Sequence, residues 1–378
     1  MTSAQLQPFQ AMEILTAAKR LEAQGRHICH LELGEPGAPP APKVLEAVRA
    51  ALPQGQPYTA AKGLIGLREG LCRYYADRHQ VAVDPESIIV TMGSSAAFIL
   101  SFLAAFAPGA RIAITRPGYP AYLNTLVGLG YEAVEIPLSA QNGWRLRADD
   151  IAAAHARTPF AGLLFASPAN PTGASVGRAE MADIAATCAR LGVTLISDEI
   201  YHGLDFEGPS ASALEVSDQA LIVNSFSKYY CMTGWRIGWM VVPEALVRRA
   251  EMLQQNLFIS APTLSQVAAE AALGETEYAE TQKAVYARNR VLLHQGLAGL
   301  GFTTAGLGDG AFYAYADASR FTNDSLKFCQ TLLHEAGVAA TPGVDFDRVD
   351  GGKFVRFSYA GSAQTIEKAL ERMGTMLG

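Results

Sequence analysis

One segment gathers side chains that can do chemistry. Ser225-Phe226-Ser227-Lys228-Tyr229-Tyr230-Cys231-Met232-Thr233-Gly234-Trp235-Arg236 carries two hydroxyls, one amine and one guanidinium in otherwise uncharged sequence. Hydroxyls and a planar guanidinium fork bind phosphate well. A lysine among apolar and aromatic neighbours has its pKa lowered by desolvation, which frees the amine for a Schiff base. Taken alone, either residue reads better as a surface lysine or a core-edge arginine. The segment follows the apolar run Leu221-Ile222-Val223, so it leaves the C-terminal end of a strand, where open α/β sheets bind ligands.

Other strand ends supply more polar groups. Asp198-Glu199 closes the run from Val193 to Ser197, and a carboxylate there is partly buried. Ser167-Pro168-Ala169-Asn170-Pro171-Thr172-Gly173 follows the run Leu163 to Ala166 and carries an amide at Asn170. Gly93-Ser94-Ser95 follows Ile88 to Thr91 and opens a helix, whose first N–H groups suit an anion. Each has a structural alternative, as a helix cap or a turn residue. Their recurrence at the C-ends of successive strands favours a shared site.

The elements that must position these residues are legible between about residues 86 and 243. Apolar, β-branched runs at 88–91, 112–115, 133–136, 163–166, 193–196, 221–223 and 239–242 alternate with helical stretches such as Ser95 to Phe106 and Arg178 to Leu191. Continuous apolar runs suit strands covered on both faces, and the alternation predicts βαβ units. The expected fold class is α/β, a large domain with a mostly parallel seven-stranded sheet plus a smaller α+β domain from the two chain ends. The expected division is 1–45 with the small domain, 46–280 as the large domain and 281–378 as the small C-terminal domain. An amphipathic helix is expected from Phe9 to Gln24, with Met12, Leu15 and Leu21 on its apolar face. A long helix is expected after Ala279, others from Ser325 to Ala336 and from Ala363 onward.

Composition narrows the function. The chain has 378 residues, 30 Lys+Arg against 36 Asp+Glu, 49% hydrophobic and 17% charged residues. That excludes wholesale disorder, and the net charge of −6 argues against nucleic acid or an anionic membrane as partner. No apolar run is long enough to span a bilayer. Five scattered cysteines without a secretory leader suggest reduced thiols in a cytoplasm. No metal-ligand spacing occurs: His27, Cys29 and His30 have no second cluster. Gly173-Ala174-Ser175-Val176-Gly177 fits the nucleophile-elbow pattern of hydrolases. That elbow needs a sharp strand-to-helix turn, and Pro168 and Pro171 intervene here.

Together these segments resemble the class I/II aminotransferases, pyridoxal-phosphate enzymes of the aspartate-aminotransferase fold (fold type I). The similarity runs nearly the whole length, through LGEPG, PYTAAKGLIGLREGL, TMGSSAAF, RPGYPAY, SPANPTG, SDEIYHG, SFSKYYCMTGWRIGW, SAPTLSQ, GAFY, TPGVDF and VRFSYA. SFSK with TGWRIG is the most specific part. The resemblance implies that Lys228 forms the Schiff base with the cofactor and shuttles the substrate's α-proton. It places Asp198 against the pyridine nitrogen, Asn170 and Tyr201 at the phenolic oxygen, and Tyr119 against the ring face. Lys228, Asp198 and Tyr201 are thereby the implied catalytic residues. Gly93, Ser94, Ser95, Ser225, Ser227 and Arg236 match the phosphate cup. Tyr58 matches a tyrosine that reaches this phosphate from the other subunit, which implies a homodimer with shared sites. Arg356, Gly34 and Asn170 are implied at the substrate, with Arg356 forking onto its α-carboxylate.

The chain also departs from the family pattern. Cys231 stands where Gly or Asn is commoner, and Asp347 follows Phe346 where Gly is frequent. Gln255 and Ser95 occupy places where dicarboxylate-specific branches carry Arg or Lys, which weighs against aspartate or glutamate specificity. The expected activity moves an amino group between an L-amino acid and a 2-oxo acid. A carbon–sulfur β-lyase on the same fold is the alternative, and a non-catalytic cofactor-binding module is a third reading.

Overall fold

The computed structural model describes residues 6–378. Seven strands form the main sheet: β1 (Ile88–Thr91), β2 (Arg111–Arg116), β3 (Glu132–Pro137), β4 (Gly162–Ala166), β5 (Thr194–Asp198), β6 (Leu221–Ser225) and β7 (Gly238–Val241). Their spatial order is β1-β7-β6-β5-β4-β2-β3. Neighbours pair in parallel except at β7, which runs antiparallel to both β1 and β6. Alternation along each strand feeds two cores. Val90, Ala113, Leu163, Leu195, Ile222 and Trp239 face one layer, while Ile89, Ile112, Leu164, Ile196, Leu221 and Met240 face the other. Both faces are therefore dry, as the unbroken apolar runs require.

The parallel register aligns the strand ends. Asp198, the last residue of β5, lies beside Ala166 of β4 and Val223 of β6. The segments after β4, β5 and β6 thus leave one edge of the sheet together. The helix Gly93–Ala105, almost wholly apolar, packs on β6 and β7 beneath the helix Glu244–Leu257. Its N-terminus reaches the same edge.

A second, four-stranded antiparallel sheet runs Thr341–Pro342, Phe354–Ser358, Tyr313–Asp317, Thr303–Thr304. Cys29–His30 pairs in parallel with Val338–Ala339, and Leu31 exchanges backbone bonds with Ala339 and Ser358. This stitches the segment after the first helix onto the C-terminal part of the chain. The expected boundaries at 45/46 and 280/281 fall inside continuous helices, Pro42–Ala51 and Thr276–Leu300, and residues 1–5 lie outside the described residues.

Several local expectations need correction. The first helix spans Gln10–Ala23, and its buried stripe is Ala11, Ile14, Ala18 and Leu21; Met12 is exposed and Leu15 only half-buried. Small alanines on the inner face let the helix sit close, which counting only large apolar residues overlooks. The long helix begins at Thr276, before Ala279. The helix expected from Ser325 to Ala336 is α-helical to Thr331 and widens to a π-turn over Leu332–Ala336. Among the described residues, no helix is long and apolar enough to cross a membrane.

Candidate active site

A cavity of about 480 Å³ lies between the C-terminal edge of the main sheet and the second sheet. One end is built for an anion. Ser94 and Ser95 occupy the first turn of the helix Gly93–Ala105, and Ser227 and Arg236 line the same cavity. Two glycines permit this convergence. Gly93 has φ +73°, and a Cβ there would lie 2.6 Å from Arg236 Nη2. A Cβ on Gly238 would lie 3.2 Å from the Ser94 amide nitrogen. A helix N-terminus, serine hydroxyls and a guanidinium packed this closely suit a phosphate dianion.

The middle of the cavity holds an amine facing a carboxylate end. Lys228 Nζ donates to the Gly34 carbonyl at 2.6 Å. Burial, reinforced by the Arg356 charge, lowers the Lys228 pKa to about 8. Asp198 is 3% exposed and accepts from the Tyr122 hydroxyl and from the Ile200 amide at 3.1 Å. Burial raises its pKa to about 6, opposed by those two donors and by Lys228. A cationic ring nitrogen facing Asp198 would offset that burial cost, so a buried carboxylate with room for one more donor fits the pyridinium of pyridoxal phosphate. Tyr119 lines the cavity, held edge-on between Phe9 and Tyr122 at 5.9 and 5.4 Å.

The far end is cationic. Arg356 sits mid-strand in Phe354–Ser358 and is 2% exposed. Nη1 donates to Asn170 Oδ1 at 2.9 Å; Nη2 donates to the Glu32 carbonyl and to Thr341 Oγ1 at 3.1 Å. The guanidinium lies over the rings of Tyr313 and Phe346, at 4.4 and 4.8 Å from their centroids. Among the described residues no carboxylate pairs with it, and its buried Nε has no partner. A buried guanidinium without a counter-charge is costly, and a carboxylate entering the cavity would supply what is missing. Because Arg356 only donates, it fixes the Asn170 oxygen toward itself, leaving the amide N–H₂ to donate elsewhere. Tyr201 and Tyr313 share a hydroxyl–hydroxyl bond of 2.6 Å beside Asn170. A side chain on Gly34 would collide with the Tyr313 hydroxyl, which accounts for glycine there.

Lys228, Asp198, Tyr201, Asn170, Tyr119, Ser94, Ser95, Ser227, Arg236, Gly34 and Arg356 therefore surround one cavity, and Gly93 sits directly behind Arg236. Two expected site residues stand apart from the wall. Ser225 is buried behind it: its hydroxyl bonds Ser227 Oγ and the Ile237 carbonyl, and accepts from the Ser227 amide, so it shapes the turn that presents Ser227 and Lys228. Tyr58 is 80% exposed and does not line this chain's cavity. Ser175 lies in the loop ahead of the helix Arg178–Leu191, bonded to Ser210, with no elbow around it. His30 bridges Glu22 and Glu32 at 3.0 and 2.8 Å.

Two of the departures, Cys231 and Asp347, have a local structural reason. Cys231 has φ +57°, a left-handed conformation that explains the commonness of Gly or Asn at that position. Asp347 accepts from the Val349 and Asp350 amides at 2.9 Å each, so it caps a turn a glycine would leave uncapped. The residue reading missed Tyr122, Tyr313, Phe9 and Asp345. Tyr122 follows Tyr119 by three positions in RPGYPAY and Tyr313 ends GAFY, so both lay in the matching segments without an assigned role.

The family model for aminotransferase class I and II matches residues 26–373. A valine–pyruvate aminotransferase of Mycobacterium tuberculosis is 46% identical over 376 residues, covering 98% of this chain and 96% of that protein. An aspartate/prephenate aminotransferase of Thermus thermophilus is 33% identical, covering 99% and 97%. A crystal structure of an aminotransferase from M. tuberculosis superposes with a TM-score of 0.96 at 44% identity, covering 100% and 98%. A putative aminotransferase from Silicibacter pomeroyi gives 0.92 at 41% identity, with the same coverage. These similarities extend over the strands and loops that build the cavity, and the chain belongs to the class I and II aminotransferases, which use pyridoxal phosphate.

Proposed function

We propose that this aminotransferase takes its amino group from an apolar L-amino acid and passes it to a small 2-oxo acid. The observation that carries the substrate class is the cavity's cation inventory. Lys228, Arg236 and Arg356 are the cations among its described lining residues. Each has a task, as amine, phosphate ligand and α-carboxylate ligand, so none is left for a second carboxylate. The lining also carries an apolar group, Phe9, Ala11, Met12 and Leu33, that can form a wall for the substrate's side chain. Gln255 is exposed and off this wall, and Ser95 is uncharged. The valine–pyruvate name of the M. tuberculosis relative supports the same choice.

In this reading Ser94, Ser95, Ser227 and Arg236 bind the cofactor's phosphate, and Asp198 holds the proton on its ring nitrogen. Asn170 and Tyr201 orient its phenolic oxygen, and Tyr119 covers one ring face. When bound, pyridoxal phosphate supplies a protonated ring that accepts the electrons of the broken Cα–H bond. Arg356 grips the α-carboxylate and so aims Cα–H at Lys228. Lys228 Nζ takes the α-proton, and its pKa near 8 keeps a working fraction of free amine at neutral pH.

The same proposal makes the enzyme a cytoplasmic homodimer in which Tyr58 of one chain serves its partner's phosphate end, and makes the chain ends around 1–45 and 281–378 a smaller unit against the larger 46–280. The exposure of Tyr58, a large aromatic side chain off its own chain's cavity wall, supports the dimer. The test is a half-reaction screen on holoenzyme: mix with each amino acid, without a keto acid, and follow the cofactor's absorbance. Valine, leucine and alanine are expected to convert it once, and pyruvate to restore it. Conversion by aspartate or glutamate alone would overturn the substrate class. Continuous ammonia release without a keto acid would mark elimination instead.

A further inference from the structure

Phe9, Ala11 and Met12 reach the cavity from the start of the helix Gln10–Ala23, and that start has no cap of its own. Phe9 occupies the N-cap position and makes no side-chain capping bond. The first two helical amides are instead satisfied from the other end of the chain. Gln10 N donates to Asp345 Oδ1 at 3.0 Å and Ala11 N donates to Oδ2 at 3.3 Å. A carboxylate accepting from two first-turn amides is the strong form of an N-terminal cap, and it meets the positive end of the helix dipole. The buried stripe at Ile14, Ala18 and Leu21 fixes the body of the helix. Asp345 fixes its first turn, where the cavity residues are.

The carboxylate is itself rigidly placed. It sits in the tight turn Gly343–Asp345, closed by the Phe346 and Asp347 amides on the Gly343 carbonyl at 3.0 Å each. A Cβ on Gly343 would lie 2.5 Å from the Phe354 carbonyl, so the turn is pressed against the strand that carries Arg356. Phe346 lies against the Arg356 guanidinium, and its carbonyl accepts from the Gly118 amide, next to Tyr119. One short turn thereby touches the guanidinium, the loop of the ring-covering tyrosine and the helix that forms the apolar wall. Asp345 itself does not line the cavity.

We propose that Asp345 is a positioning residue for the amino-acid substrate: by clamping the first helical turn it holds Phe9, Ala11 and Met12 as a wall for the substrate's side chain, in register with Arg356. This rests on the reading that the cavity takes an apolar amino acid. Without the clamp the first turn frays, and the wall loosens while the cofactor's ligands stay in place. Larger side chains, which depend on that wall, lose most; alanine barely touches it.

The test uses holoenzyme Asp345→Ala and the half-reaction with alanine, valine and leucine. The half-saturation concentration should rise about tenfold or more for valine and leucine and by less than about threefold for alanine. Limiting rates, cofactor absorbance and cofactor affinity should stay near wild type. Asp345→Asn, which keeps one acceptor, should fall between. A double-mutant cycle with Phe9→Ala supplies a second reading if Asp345→Ala folds poorly: Asp345→Asn and Phe9→Ala should be non-additive on valine, because both loosen one wall. Equal loss for all three amino acids, additive losses in the cycle, or unchanged half-saturation would each overturn the proposal. A wild-type enzyme inert to all three overturns the substrate reading and this inference together, whereas a reactive wild type with an unselective variant overturns this inference alone.

Discussion

Gly93→Ala probes the anion end of the cavity through a single methyl group. Gly93 has φ +73°, and the new Cβ would stand 2.6 Å from Arg236 Nη2 and 3.1 Å from its Cζ. The backbone term, about 1–2 kcal/mol for an L-residue in the left-handed region, weakens folding with and without cofactor. The binding term is separate. Arg236 cannot simply follow: its own φ is +51° and Nη1 is tied to the Thr233 carbonyl at 2.9 Å. The guanidinium must swing off the helix N-terminus and away from the proposed phosphate site. A charge-assisted bond of about 1.5–3 kcal/mol corresponds to a rise of about 10–150-fold in the cofactor's Kd. Titration of apoenzyme with pyridoxal phosphate, followed by absorbance, reads this directly. Gly234→Ala is the control, since no atom lies within 4 Å of a Cβ built there; it should bind normally. In an Arg236→Ala background, Gly93→Ala should add little. A Gly93→Ala enzyme that folds and binds cofactor within about twofold of wild type would refute the convergence of Arg236 on this helix as the phosphate site.

Three further outcomes are expected. Tyr122→Phe removes a hydroxyl that donates to Asp198, so turnover should fall about tenfold or more while the phosphate end keeps the cofactor bound; steady-state kinetics with a cofactor titration separates the two. Lys228 is depressed to about 8, so the rate at which apoenzyme takes up pyridoxal phosphate should climb with pH up to about 8 and then level off, whereas a rise continuing toward 10.5 would contradict the burial of the amine. Glu199 is buried beside His202, and burial raises its pKa from 4.5 to about 8. A folded pKa raised above the unfolded one means stability present at low pH and lost as pH rises through that window. Glu199→Gln, which keeps the acceptor for Ser212 and Ala213, should therefore gain Tm over wild type increasingly between pH 5 and about 8.

Much of this site is legible in the sequence because parallel strands end at one edge. Asp198, Asn170 and Lys228 each follow an apolar run, and register alone brings them together. What the sequence hides are contacts set by packing between residues far apart in the chain. The Tyr122–Asp198 and Tyr201–Tyr313 bonds join residues 76 and 112 positions apart, and Asp345 caps a helix 335 positions upstream. No local spacing encodes these. Ser225 shows the converse limit: a serine in the right motif, two residues from Ser227, faces inward because alternation turns it to the turn's interior. The first helix misleads for a related reason, since alanine marks its buried stripe and methionine its cavity edge.

Lys228, just past the end of β6, is the residue expected to carry pyridoxal phosphate. Borohydride reduction of the yellow holoenzyme, followed by proteolysis and mass spectrometry, reports the attachment site directly. One modified peptide is expected, with the label on Lys228, and no label in Lys228→Ala. A label on Lys62, which pairs with Glu86 away from the cavity, or on Lys353 would contradict it.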